Sequence, residues 1–447
     1  MSSREAVWTR REFLARSAGA IGVPYVLTAA AAVAQRRRTS NQQVPASEKI
    51  GIALLGFGRR GYELGAVLSR IPKVRCVVAC DVDSRRRAYA EKYLGRRQPG
   101  LKTCEDFREL LGNREVDAVV ISTPDHWHAV MAIEAAKAGK DIFCESPLSL
   151  TIGEARAMVT AVRRHGRVFQ TGTYRRAMPS FDQACQAIRD GRIGQVKTVH
   201  VVAGAASGPC HYGGAPVPAN LNWDLWLGPA PQAAYHPYRC SSSTGSYGWR
   251  AWRDYSGGTM THHGSHYFDI VQWALGADKT GPVEITPAEA AKAVPAGTDG
   301  KARKMLTYRY ANGVTVYNGT GPKGSAIEFT GTDGVLGFGG SATDRRGFQT
   351  WPDGLVPPAP EADRSRTRGR SYSGMNHVYD FLDCIQTRKT CLCDPAVACR
   401  SVTVSHLGNI ATWLGRSLTW DPAQERIVGD PQANRWLNRP RRAPWRL

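Results

Sequence analysis

An apolar run, Ile52-Ala53-Leu54-Leu55, stops abruptly at Gly56-Phe57-Gly58-Arg59-Arg60-Gly61. Helical periodicity follows from Tyr62 to Arg70, and a second apolar run, Val74 to Ala79, closes at Asp81. Strand, glycine-rich turn, helix, strand and terminal acid in that register are the start of a dinucleotide-binding βαβ unit. Gly56 makes the tight turn, Gly58 admits the backbone to a pyrophosphate, Gly61 lets helix pack on strand, and the helix N-terminus faces the phosphates. With Phe57, Arg59 and Arg60, these residues are expected to bind a nicotinamide cofactor. Asp81 would bond the ribose hydroxyls and favour NAD; Arg85, Arg86 and Arg87 follow closely and could meet a 2′-phosphate, so NADP stays open.

The chain has 447 residues, more than one core usually serves, so two domains are expected. Its net charge of +21 comes from residues scattered along the whole sequence, with no RNA- or DNA-binding motif beside them. Such basicity suits acidic substrates better than nucleic acid. Thr9-Arg10-Arg11-Glu12-Phe13-Leu14 precedes an alanine-rich stretch ending at Ala32-Val33-Ala34, and Gly19, Gly22 and Pro24 would spoil a helix there. Residues 1–34 therefore resemble a twin-arginine export signal, which carries folded proteins to the periplasm with any bound cofactor inside. Polar residues 35–48 read as a linker, and no later segment offers the ~20 apolar residues of a membrane span. Of the eleven cysteines, Cys76, Cys80 and Cys144 read as buried small hydrophobes. Cys384, Cys391, Cys393 and Cys399 cluster without paired C-x-x-C spacing, which leaves a disulfide open and argues against a metal.

Further strands are expected at Ala118–Ser122 and Asp141–Cys144, separated by a helix from His126 to Ala138, and another helix at Thr151–His165. This alternation predicts an α/β chain that begins with a doubly wound parallel sheet of Rossmann type, residues 49–171. Arg167 to Gly172 leads out of it. Residues 172–447 are expected to form an α+β domain with an open, largely antiparallel sheet. Its strands run over Val196–Ala203, Lys304–Tyr310, Val314–Asn318 and Ala326–Thr330, with helices at His266–Leu275 and Gly374–Gln386. Gly354–Arg370, rich in proline, arginine and serine, reads as an exposed loop.

Four ordered motifs carry a resemblance: Ser122-Thr123-Pro124-Asp125-His126-Trp127-His128; Cys144-Glu145-Ser146-Pro147; Trp223 to Pro229; and Gly257-Gly258-Thr259-Met260-Thr261-His262-His263-Gly264-Ser265-His266-Tyr267-Phe268-Asp269. From about Lys49 onward the chain resembles the Gfo/Idh/MocA oxidoreductases, relatives of glucose–fructose oxidoreductase and inositol dehydrogenase. The resemblance implies a retained NAD(P), a sugar, cyclitol or related polyol between the two domains, and a homo-oligomer, dimer or tetramer. It also implies a Glu-Lys-Pro strand end whose lysine works with an aspartate and a histidine of the last motif. Ser146 stands in place of the lysine and His262 in place of the first aspartate, while His266 and Asp269 match.

A serine cannot supply a cation beside a developing alkoxide, nor a tunable amine, so lysine-assisted proton transfer is not available here. His262 and His266, four residues apart, can converge and move protons near neutral pH. His266 is the expected base, with His262, Tyr174 and Glu145 as further catalytic candidates. Thr123, Pro124, His126, His128 and Glu145 are expected along the cofactor, and Asp269, Trp252 and His263 toward the substrate. Asp125 reads as a helix start. No third ligand completes a metal site, so none is expected. The alternatives to sugar oxidoreduction are a redox-neutral, NAD-dependent glycoside cleavage and a nucleotide-binding protein without catalysis.

Overall fold

The computed structural model describes residues 48–241, 248–295, 297–339, 347–356 and 375–447. The export signal, nearly all of the linker and most of the Gly354–Arg370 loop lie outside these residues.

Two sheets organise the chain. The first contains β1 (Ile50–Leu55), β2 (Val74–Cys80), β3 (Lys102–Cys104), β4 (Ala118–Ile121), β5 (Asp141–Cys144) and β6 (Phe169–Thr171), all parallel, in the order β3-β2-β1-β4-β5-β6. The strands are continuous apolar runs because helices cover both faces. Strand order reverses between β1 and β4, and at such a switch point the loops beyond the strand ends part to form a crevice. Gly56, Ser122 and Glu145 each stand just past the end of a strand.

The second sheet is mixed and mostly antiparallel. It holds β7 (Val196–Val201), β8 (Pro282–Thr286), β11 (Leu306–Tyr310), β12 (Thr315–Asn318), β13 (Ile327–Gly331), β14 (Val335–Phe338), β15 (Phe348–Trp351), β16 (Leu418–Asp421) and β17 (Arg426–Ile427); β9 (Ala293–Pro295) and β10 (Ala302–Lys304) pair separately. Only β7 and β12 run parallel. Helices Pro179–Arg189, Gly264–Ala274 and Pro395–Leu414 pack on this sheet through residues such as Ile188, Phe268 and Leu407, which share one core with Val199, Tyr308 and Phe329.

The 20-residue helix Pro395–Leu414 was not expected from the sequence. Its ends are well marked, by Pro395 in the first turn, an Asp394 cap on the Ala396 amide, and Gly415 in the left-handed region at φ 65°. Burial from Pro395 to Ala411 leaves only Ala396, Val397 and Arg400 less than buried, so no amphipathic stripe announces it. The C-terminal segment also returns to the first sheet. Val378, Phe381, Leu382 and Cys391 join its core beside Ile52 and Phe143, and Trp445 packs on Trp127 with ring centroids 4.7 Å apart. All eleven cysteines are free thiols. Among the described residues, no helix is long and apolar enough to cross a membrane.

Candidate active site

A cavity of about 1050 Å³ opens over the switch point and continues to the segments and helices between β7 and β8. Gly56 and Gly58 line its nucleotide end, with Arg59, Arg60, Asp81, Thr123 and Pro124. Gly56 sits at φ 85°, and a Cβ on Gly61 would meet the Gly56 carbonyl oxygen at 2.0 Å, so helix and turn are packed to contact there. A Cβ on Gly58 would find only the Arg86 guanidinium, at 3.6 Å, which leaves room above the turn for a pyrophosphate. Asp81 is held rigidly: its carboxylate accepts the Phe57 amide at 2.7 Å and the Asp83 amide at 2.9 Å, keeping lone pairs for ribose hydroxyls. Arg86 lies 3.6 Å from that carboxylate, whereas Arg85 turns to Asp83 and Arg87 to Glu105. These residues fit a dinucleotide, which would supply the hydride-accepting ring.

Phe57 and Gly61 serve this end from behind the cavity wall, Phe57 through its amide and a buried ring, Gly61 through its lack of a side chain. His126 and His128 do not line the cavity, which corrects their expected place along the cofactor. The helix Asp125–Lys137 is buried almost all round. His126 points at the Trp226 carbonyl (3.0 Å) between Trp226 and Tyr255, and burial lowers its pKa to about 3. The His128 ring lies between the carbonyls of Pro147 and Thr123, at 2.8 and 3.0 Å.

Glu145, Tyr174, His262, His263 and His266 line the other end. Glu145 is pinned, accepting Arg60 Nε at 2.6 Å. The ring of Tyr174 stands edge-on to His266, 5.4 Å between centroids. His266 Nε2 is 3.1 Å from Ser146 Oγ, while its Nδ1 has no hydrogen-bond partner among the described residues. Burial first, and then the charges of Arg175 and Arg60, push the His266 imidazole well below its usual value near 6.5. It is therefore a neutral base next to a hydroxyl. Ser146, set aside in the sequence as an inert replacement, is its partner. His263, in the same wall, is likewise lowered by burial and by the neighbouring His262.

Two substrate candidates lie elsewhere. Asp269 is absent from the cavity wall; its carboxylate is spanned by Arg176, through Nε and Nη2 at 2.9 Å each, and bonded by Ser401 Oγ at 2.7 Å. Trp252 donates to the Tyr238 carbonyl and packs beside Tyr212. Neither lines the cavity. The cysteine cluster is also apart from the cavity. Asp380, Cys384 and Cys391 bring possible ligand atoms within 4.8 Å of one another, but Asp380 Oδ2 already accepts from Gln170 Nε2 and the Leu392 amide. Besides Ser146, the sequence reading passed over Asp125 and Arg250, both in the wall. Asp125 was hidden by its place beside Pro124, where an acid ordinarily begins a helix.

Residues 50–173 match the oxidoreductase family's NAD-binding Rossmann fold, and residues 205–447 match its C-terminal alpha/beta domain. The chain belongs to the Gfo/Idh/MocA oxidoreductase family. It is 34% identical over 148 residues to scyllo-inositol 2-dehydrogenase (NAD(+)) of Bacillus subtilis, covering 33% of this chain and 42% of that one. It is 40% identical over 116 residues to a glycosyl hydrolase family 109 protein of Shewanella sp. strain ANA-3, a quarter of each chain. The chain spans about half the length, or less, of the curated relatives it matches. The fold recurs in the WlbA dehydrogenase of Bordetella pertussis, solved with NADH and UDP-GlcNAcA, at a TM-score of 0.59 and 19% identity over 84% of this chain and 98% of that one.

Proposed function

We propose that this Gfo/Idh/MocA protein is an NAD-dependent oxidoreductase of a sugar, cyclitol or sugar derivative that keeps its cofactor through turnover. The observation that carries this reading is His266 Nε2 lying 3.1 Å from Ser146 Oγ in the wall shared with the glycine turn. A substrate hydroxyl at that wall would pass its proton to His266 Nε2, directly or through Ser146 Oγ, as the hydride leaves its carbon for the nicotinamide. Asp81 supports NAD over NADP, since its carboxylate opposes a 2′-phosphate. Nucleotide released by denaturing the purified protein should be NAD(H), and a panel of sugars and keto-sugars should change its absorbance. A protein that yields no nucleotide and takes up neither NAD nor NADP would sink this reading.

Redox-neutral glycoside cleavage is the second reading, favoured by a second imidazole, His262, in the same wall and by the partial match to the glycosyl hydrolase. Oxidation at C3 would acidify the C2 proton, elimination would expel the aglycone, and water addition followed by reduction would release the free sugar and restore the cofactor. Aryl glycosides in the same panel decide: aglycone release without net NADH formation selects cleavage.

We further propose that residues 1–34 direct twin-arginine export to the periplasm, with 35–48 as linker. Arg10→Lys with Arg11→Lys should strand the protein in the cytoplasm. Undiminished periplasmic accumulation would refute this.

A further inference from the structure

Asp125 is the first residue of a 13-residue helix, yet it does not act as a helix cap. Its side chain is 1% exposed, it lines the cavity, and neither carboxylate oxygen has a hydrogen-bond partner among the described residues. An ionised carboxylate taken out of water without hydrogen bonds is costly, so it needs a nearby positive charge. His262 Nε2 stands 3.3 Å from Asp125 Oδ1, close enough for ion pairing though not in hydrogen-bond geometry. Burial alone would push the Asp125 carboxyl up; His262 opposes it, the His128 charge adds to that, and the net direction is downward. Trp249 closes the other side of the His262 ring, 5.3 Å between centroids.

The two imidazoles in one wall therefore have opposite surroundings. His266 faces Ser146 and the field of Arg175 and Arg60, which strip it of its proton. His262 faces a buried carboxylate.

Resting on the hydride-transfer reading, we propose that Asp125 is a positioning residue that holds His262 as the imidazolium, and that this imidazolium supplies the cation beside the developing alkoxide that Ser146 cannot. As the hydroxyl carbon loses hydride to the cofactor and the hydroxyl proton goes to His266, His262 keeps its own proton and stabilises the oxygen by charge alone. Atoms and charge balance: one hydride and one proton leave the substrate, and a C=O bond replaces C–O–H. The pairing of Asp125 with the histidine at position 262 thus does electrostatically what an amine at position 146 would do.

The charged and titratable groups around His262 are Asp125, His263 and His266, with His128 and Arg250 acting on Asp125. In the holoenzyme, Asp125→Asn should lower kcat about a hundredfold with KM little changed, as loss of one preorganised stabiliser does. The alkaline limb of its kcat profile should move to lower pH, because the charge of His262 is no longer supported. Asp125→Glu should recover most of the rate and return the limb. A structural role alone would not move the limb. Nitrogen-15 histidine spectra of the unaltered protein, which need no substrate, should show His262 with both ring protons at neutral pH. A single ring proton there, or an unmoved limb in Asp125→Asn, overturns the proposal. Because the spectra report on the pair without turnover, an inactive sugar panel would count against the oxidoreductase reading and leave the pair to be judged by them.

Discussion

His266→Ala is expected to lower kcat by about two to four powers of ten while the purified protein still carries its nucleotide, since a general base typically contributes that much. The dinucleotide groups Gly56, Gly58 and Asp81 lie on the first sheet's loops, and His266 lies on a helix that packs on the second, so the substitution leaves the cofactor's own contacts in place. Ser146→Ala should cost less, about tenfold, because it removes one hydrogen bond to Nε2 but not the base. The pH dependence has a definite sign. With its pKa lowered, His266 stays unprotonated as pH falls past 6.5, so the acid limb due to this group lies well below that value. The unfolded chain takes up the proton first, and His266 therefore costs stability progressively as pH drops below 6.5. Single-turnover hydride transfer followed across pH checks both statements, and full activity in His266→Ala would remove this residue from the chemistry.

The second large effect concerns stability. Asp269→Ala should destabilise the fold by about 3–5 kcal/mol, the usual result of removing one member of a buried ion pair. It would leave Arg176 with Asp278, at 2.7 and 2.9 Å, as its one carboxylate partner among the described residues, in a setting where the guanidinium is nearly as buried as its partner. The Ser401 hydroxyl would keep only the Val397 carbonyl of its own helix as acceptor among the described residues, and a tie between helix Gly264–Ala274 and helix Pro395–Leu414 would go. Denaturant unfolding measures the loss. A variant of unchanged stability but raised KM would restore Asp269 to the substrate side.

The nucleotide end was readable from the chain because its requirements are local: Gly56, Gly58 and Gly61 are fixed by backbone geometry within one turn, and Asp81 by the length of one βαβ unit. The strands expected from alternation and apolar runs fall within about two residues of where they were put, as at Val74–Cys80 and Ile327–Gly331, while the short or edge strands β3, β8, β14, β15, β16 and β17 were passed over. The reacting end was less legible, because its partners are far apart in sequence. Ser146 meets His266 across 120 positions, and Asp125 meets His262 only when the first sheet's loops close against the second unit. Nor does residue type reveal function at Asp269, where the family motif brings an acid close to the cavity but Arg176 and Ser401 consume it. Arg176 itself gave no signal, being one arginine among many in a basic chain.

The return of the C-terminal segment to the first sheet bears on how the protein comes into being on the ribosome. When Thr171 emerges, every strand of the parallel sheet has been made, but Phe107 and Trp127 still lack the Trp445 ring, and Ile52 and Phe143 still lack Phe381 and Leu382. The strand end at Thr171 waits as well, since its amide is bonded to the Cys393 carbonyl. The cofactor-binding half is thus synthesised first and completed last, so a nascent chain exposes apolar surface over its nucleotide fold through most of translation.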